Sequence, residues 1–321
     1  MNGMPHAAKP IGRTIRRKTV SRAAANCALP AFVGVSVLAP ALAALPLSAA
    51  TAPKPGPPAI VSIQTRDLEV EFAGDRAWTI HRILFKNALV ADKRGFYGTV
   101  FAAEGGKWIG TGHNEGGIEK VHSAILTIDG VERPLTDKAV YRARRAEIKK
   151  RSTIGPLLLE AACIVTDDAL LERHAYEVTS DVKISILYAF MHAWLPSTTE
   201  WIAEKADGSL LEGTFDNAGD FEVKDDVKWA SLYDPGTEVA MMAWYPKPLV
   251  GQGIKTAYWD KTVYHKLYNQ IYSHASVPAG ARFEASMVVR GVKTDAASWK
   301  TAARELAAQT SQAFATGDLR F

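Results

Sequence analysis

Residues 119–130 read EKVHSAILTIDG, and this short stretch decides the fold. His122, Ala124 and Leu126 fall on one face of a period-two pattern, and Glu119, Val121 and Ser123 fall on the other. The run then closes on Asp129-Gly130, the strongest short-range signal for a hairpin between antiparallel strands. Working outward, runs of the same kind fill most of the chain: 68–72, 78–85, 97–102, 147–152, 157–166, 170–179, 183–191, 199–204, 220–223, 227–233, 238–245, 263–272 and 281–289. Turn chemistry separates them, as at Asp167-Asp168, Asp207-Gly208 and Asp234-Pro235-Gly236. A dozen or so strands with almost no helical period between them imply an all-β protein, a large antiparallel β-sandwich in one domain. One helix is expected at 295–316. There Asp295 supplies a cap, and Trp299, Ala303, Leu306, Thr310 and Ala313 fall on one stripe that should lie against a sheet.

The first fifty residues stand apart from this pattern. They hold Lys9, Arg13, Arg16, Arg17, Lys18 and Arg22, no acidic residue, and then an apolar run from about residue 23 to 47. A basic segment followed by an apolar one is the pattern of an export signal, and Ser48-Ala49-Ala50 supplies small residues suited to cleavage. The Arg16-Arg17 pair keeps a twin-arginine route open beside the ordinary secretory one. Pro30, Pro40 and Pro46 interrupt the apolar run, which argues against a permanent membrane span. The expected organisation is a signal peptide at 1–50, a Pro-rich leader at 51–59, and one β-sandwich domain at 60–321, in the periplasm or outside the cell.

Cleavage there would remove six of the 38 basic residues and none of the 34 acidic ones, leaving 32 against 34 and a net charge of −2. The basic character of the full chain thus belongs to its N-terminal segment, and no nucleic-acid partner is expected. Cys27 lies in that segment, so Cys163 would stand alone in the mature chain and no internal disulfide can form. There is no CxxC, HExxH, GxSxG or phosphate-binding glycine fingerprint, and no cofactor or metal is expected.

The stretch LEVEFAGDRAWTIHRILFKNALVAD, residues 68–92, resembles the opening of galactose mutarotase-like β-supersandwich domains. The resemblance extends over residues 60–290. It implies a sandwich that acts on sugars, either free aldoses or polysaccharides, with histidine and carboxylate side chains as acid and base.

The richest candidate site lies in residues 95–122, GFYGTVFAAEGGKWIGTGHNEGGIEKVH, where eight glycines surround two histidines and three glutamates. Glycine at such density marks tight turns and close backbone approaches, which suits a loop that presents side chains. His113 and Glu115 are the acid/base candidates there, with Asn114 between them as a ligand contact. A second group is His192 with Trp194 and Trp201, a titratable ring beside aromatic surfaces on which a sugar can stack. A third comprises Tyr258-Trp259-Asp260 with Tyr264-His265-Lys266-Leu267-Tyr268. Strand parity there would put Tyr264, Lys266 and Tyr268 on one face and His265 on the other. The expected catalytic set is His113, Glu115, His192 and Tyr264, and the ligand contacts are Asn114, Trp194, Trp201, Tyr258, His265 and Tyr268. All are expected to converge on one cleft. Two function classes follow: an exported enzyme acting on a sugar or uronic-acid-containing glycan as an epimerase or polysaccharide lyase, or a non-catalytic glycan-binding sandwich.

Overall fold

A computed structural model describes residues 59–93, 98–136, 138–247 and 255–321. The expected signal peptide at 1–50, the leader up to residue 58, and residues 95–97 of the Gly-rich stretch lie outside them. The described chain opens with strands β1 (Ile60–Gln64), β2 (Leu68–Ala73), β3 (Thr79–Phe85), β4 (Ala88–Ala91), β5 (Val100–Ala103) and β6 (Ile109–Gly110). It continues through β7 (Lys120–Ile128), β8 (Val131–Arg133), β9 (Ala139–Arg142), β10 (Arg145–Ile154), β11 (Leu157–Thr166), β12 (Ala169–Val178), β13 (Val182–Tyr188) and β14 (Ala193–Trp194). It closes with β15 (Glu200–Lys205), β16 (Leu210–Thr214), β17 (Phe221–Asp225), β18 (Val227–Asp234), β19 (Val239–Trp244), β20 (Lys255–Lys261), β21 (Tyr264–Val277), β22 (Arg282–Lys293) and helix α1 (Trp299–Thr316).

The strands form two sheets. The twelve-stranded sheet runs β6-β5-β13-β21-β14-β4-β3-β2-β1-β9, with β20 on the free side of β21 and β17 beyond it. The ten-stranded sheet runs β16-β15-β18-β19-β22-β12-β11-β10-β7-β8. Pairing is antiparallel throughout the described ladders except between β1 and β9. The expected hairpin joins β7 to β8 with Ile128 opposite Val131, and Asp129 (φ 46°) and Gly130 (φ 83°) take the two left-handed positions that such a turn demands.

The main core lies between the sheets, where Phe72, Phe85, Leu187 and Leu267 of one meet Leu126, Ile148, Leu159 and Met287 of the other. A second core lies on the far side of the ten-stranded sheet. There α1 lays Trp299, Ala303 and Leu306 against Leu171, Met242 and Val288. The helix starts at Trp299, four residues after the expected Asp295, because that carboxylate folds the preceding segment into a turn. Its Oδ1 accepts the backbone N–H groups of Ala297 and Ser298, both at 2.9 Å.

A bulge changes one expectation. The register of β7 on β10 shifts between Arg151 and Ser152, and one inserted residue reverses the parity of the side chains beyond it. Glu119 therefore turns inward, its carboxylate 2.8 Å from the buried Lys150 ammonium and 2.7 Å from Ser152 Oγ. His122, which by simple alternation shares a face with Ala124 and the buried Leu126, is exposed and sits 2.6 Å from Thr153 Oγ1. The basic run at 142–151, whose pattern suggests a solvated face, contributes Lys150 to the interior by the same alternation.

Trp299 is 1% exposed and stacks on Tyr233 at 5.4 Å between ring centroids. Trp299→Ala is expected to lower stability by about 3–5 kcal/mol, the usual range for deleting a buried aromatic ring. Urea denaturation of the variant against the wild type measures it.

Candidate functional site

Strand β21 positions the site. It is hydrogen-bonded to β13 and β14 on one side and to β20 on the other, so its alternation is fixed from both edges. Leu267 and Ile271 enter the main core. Lys266 and Tyr268 project from the opposite, outer face of the twelve-stranded sheet. Tyr268 packs there against Val100 and Met191, with Tyr188, Phe221 and Trp259 around it. The rings form a continuous row. Tyr268 meets Tyr188 edge-on at 4.8 Å and lies 5.8 Å from both Trp259 and Phe221, while Tyr188 is parallel to Trp108 at 6.4 Å. These separations are those at which aromatic rings attract one another.

Lys266 lies in this row, 2% exposed, its Nζ 5.3 Å from the Tyr268 ring centre and 5.6 Å from that of Tyr264. Burial penalises the ammonium, the Arg76 charge adds to the effect, and together they bring the Lys266 pKa down to about 7. The amine thus changes charge near neutrality, where it can hold an anion or take up a proton.

At the Trp108 end of the row sits the Gly-rich loop. His113 closes it by a pair of backbone hydrogen bonds with Gly110, at 2.8 and 3.1 Å. Gly110 holds φ 129°, and a side chain at Gly116 would meet the Lys107 carbonyl oxygen at 2.6 Å. At both places the loop needs glycine. The His113 ring is 5.8 Å from Trp108, and its Nδ1 is 3.3 Å from Glu115 Oε1. Glu115's own backbone N–H, with the His113 side chain, holds its carboxyl below the usual range, so it is ionised and only accepts. Nδ1 is therefore the donor, which leaves Nε2 of a neutral His113 as the lone-pair nitrogen. Asn114 is exposed on the same loop.

The remaining expected residues separate from this face. His192 is fully buried in the sandwich, its Nε2 2.5 Å from Glu172. Burial raises the Glu172 carboxyl, the charge and hydrogen bond of His192 more than offset that, and the net direction is downward. Tyr258 lies in the main core at 1% exposure, and His265 is buried on the Leu267 side of β21. The His265 ring stacks on Phe215 at 3.9 Å, with Nδ1 2.6 Å from Thr198 and Nε2 3.1 Å from Asp260. Trp201 packs over Gly213, where any Cβ would come within 2.5 Å of the indole. Trp194 is 1% exposed. The expectation of one cleft shared by all ten residues is corrected: His113, Asn114, Glu115, Tyr264 and Tyr268 lie near the outer face, whereas His192, Trp194, Trp201, Tyr258 and His265 are buried inside.

Trp108, Tyr188 and Phe221 were not expected in the site, and Trp259, though part of the third group, was not chosen as a ligand contact. Trp259 has the opposite parity to Tyr258 on β20; the other three depend on which strands become neighbours. Among the described residues no three His, Cys, Asp or Glu side chains are grouped to hold a metal ion.

No family model and no curated protein sequence matches this chain. Solved structures do. One is a galactose mutarotase related enzyme from Lactobacillus acidophilus, 10% identical, covering 74% of this chain and 98% of that one with a TM-score of 0.42. The fold is similar to galactose mutarotase-like structures. Two others are galactose mutarotase-like proteins: from Clostridium acetobutylicum (7% identity, 73% and 95% coverage, TM-score 0.44) and from Lactobacillus casei ATCC 334 (10%, 73% and 100%, 0.44). A likeness at this identity concerns the fold alone, and the chemistry of the site rests on its own residues.

Because the folded Lys266 pKa lies near 7 and the unfolded value near 10.5, the unfolded chain binds a proton across that window which the native chain does not. Stability should therefore rise with pH between about 7 and 10.5, by up to about 1.4 kcal/mol per unit from this group. Lys266→Met should remove that part of the slope, measured as the difference between wild-type and variant unfolding free energies along a pH series.

Proposed function

We propose that this is an exported carbohydrate-active protein whose outer aromatic face holds a glycan. The observation that carries the proposal is the unbroken row Trp108, Tyr188, Tyr268 and Trp259, with its end at the His113–Glu115 pair. A sugar presents an apolar C–H face and a rim of hydroxyls. Aromatic rings in series bury the first, and flanking titratable groups hydrogen-bond the second. Lys266 within the row, with Arg76 near it, favours a chain that carries carboxylates, as a uronic-acid-containing glycan does.

In the enzymatic form of the proposal His113 Nε2 takes a proton from the bound sugar, and ionised Glu115 on Nδ1 stabilises the imidazolium that forms. Proton abstraction beside a uronate carboxyl followed by loss of the glycosidic oxygen would make the protein a lyase; return of the proton to the other face would make it an epimerase. A second form has an observation of its own in its favour. The Glu115 side chain is 54% exposed, in a place where water competes for the pair, and this suits a glycan-binding sandwich without turnover. Export is inferred from the basic-then-apolar segment at 1–50, and N-terminal sequencing of the protein from its native host should begin near Thr51.

A glycan panel scored for binding, unsaturated-uronate absorbance and epimerisation tests the proposal. Trp108→Ala should weaken binding about tenfold, near 1.4 kcal/mol. His113→Ala should cost on the order of a hundredfold in turnover while binding holds. A panel without any bound or converted glycan overturns both forms, and binding without turnover selects the second.

A further inference from the structure

Strand β20 turns Trp259 to the outer face and Asp260 to the interior, as the alternation requires. Asp260 is fully buried, and its two carboxylate oxygens have different tasks. Oδ1 faces His265 Nε2 at 3.1 Å. Oδ2 accepts the backbone N–H groups of Asp216 and Asn217, both at 2.8 Å. Two successive N–H groups converging on one oxygen are the arrangement by which a backbone turn holds an anion, and Asn217 at φ 63° takes the left-handed position of such a turn. A charged acceptor makes these bonds about twice as strong as neutral ones. His265 in turn stacks on Phe215, the residue before Asp216, at 3.9 Å. The buried pair therefore grips the entry of the loop at 215–220.

The same loop sets the Trp259 end of the aromatic row. Its exit is fixed by the Asp260 backbone N–H, which donates to the Asp220 carbonyl at 2.9 Å. Between entry and exit, the Gly219 carbonyl accepts the Trp259 indole N–H at 3.3 Å. Strand β17 then opens on Phe221, directly opposite Trp259, and its ring stacks on the indole at 5.5 Å and meets Tyr268 at 5.8 Å. Trp259 is half-buried, and the loop supplies the acceptor and the ring that select one orientation of its indole. A bond of 3.3 Å is near the long limit of a hydrogen bond, so it depends closely on where the loop sits.

We propose that Asp260 is a positioning residue for the glycan-binding face: from inside the sandwich it holds the loop whose Gly219 carbonyl and following Phe221 ring orient Trp259. The inference rests on the aromatic face being a glycan site, and it adds a residue that touches no sugar. It also accounts for a buried charge. Well-packed apolar residues would fill the same place without the cost of desolvation, but they could not satisfy two loop N–H groups.

The test combines a double-mutant cycle with NMR of protein carrying ¹⁵N-labelled tryptophan, the Trp259 indole signal being assigned from Trp259→Phe. In Asp260→Ala the Trp259 signal should move as its bond to Gly219 is lost, while that of Trp299, in the second core beyond the ten-stranded sheet, stays in place. Affinity for the oligosaccharides of the glycan panel should fall at least fivefold in Asp260→Ala and in Trp259→Ala, and the double variant should lose no more than about twofold beyond either. Residues that act through one another give such non-additive losses, whereas independent ones add. Should Asp260→Ala fail to fold, Asp260→Asn decides: its neutral oxygen holds the loop less firmly, so the Trp259 signal should move and affinity fall at least twofold. An unmoved Trp259 signal in the deciding variant, or losses that add in the cycle, overturns the positioning role. Binding that is sensitive to Trp108→Ala but indifferent to the deciding variant overturns it alone and leaves the aromatic face standing. A panel without any bound glycan overturns the aromatic face and the positioning role together.

Discussion

The backbone ladder of β21 is the constraint on which the rest depends. Its residues pair with β13 and β14 along one edge and with β20 along the other, and a strand held on both sides cannot slip without breaking both ladders. Each side chain therefore has a fixed side. His265 and Leu267 are committed to the interior, Lys266 and Tyr268 to the outer face, and the chemistry available to the two surfaces follows from that division. The neighbours inherit it: Trp259 on β20 reaches the outer face opposite Lys266, and Tyr188 reaches it opposite Gln270, where the ladder of β13 on β21 shifts register.

The interior accepts an unusual load of polar groups as a result. Lys150 with Glu119, Glu172 with His192, and His265 with Asp260 are all deeply buried. Such pairs are costly to desolvate and are tolerated where their geometry is good and further hydrogen bonds support them. Lys150 shows what they do locally. Its ammonium also donates to the Ala77 carbonyl at 2.9 Å, in a turn where Ala77 (φ 56°) and Trp78 (φ 55°) are both left-handed. Two consecutive non-glycine residues in that region are strained, and a buried cation on the carbonyl between strands helps hold them there. That turn carries Arg76, whose charge contributes to lowering the Lys266 pKa, and Glu119 ends the Gly-rich segment that carries His113. One buried lysine thus ties together two segments that flank the outer face.

The division between legible and illegible residues follows the range of the interactions concerned. The Asp129-Gly130 hairpin, the stripe of α1 and the two faces of β21 could all be read from the sequence, since each depends on a period of two or 3.6 along one element. Which of His122 and Glu119 turns inward could not be read, because His122 is an extra residue of β7 opposite the step from Arg151 to Ser152 and resets the parity beyond it. No periodicity within residues 119–130 contains that information. Trp194 and Trp201 read alike as aromatic residues near a polar loop. Only packing sets Trp194 edge-on to the buried His192 and presses Trp201 against Gly213.

The sequence by itself determined that this chain is a large antiparallel sandwich with one C-terminal helix, because alternation, turn residues and helical spacing are properties of consecutive residues. It also determined which residues could carry proton chemistry. The tertiary structure alone decided which of them share a face. Twelve strands enter one sheet in an order that departs from the sequence order, bringing Trp108, Tyr188, Trp259 and Tyr268 together across some 160 residues of chain. The physical reason is that strand order and register are set by the burial of both sheets at once, a global requirement that no local stretch encodes.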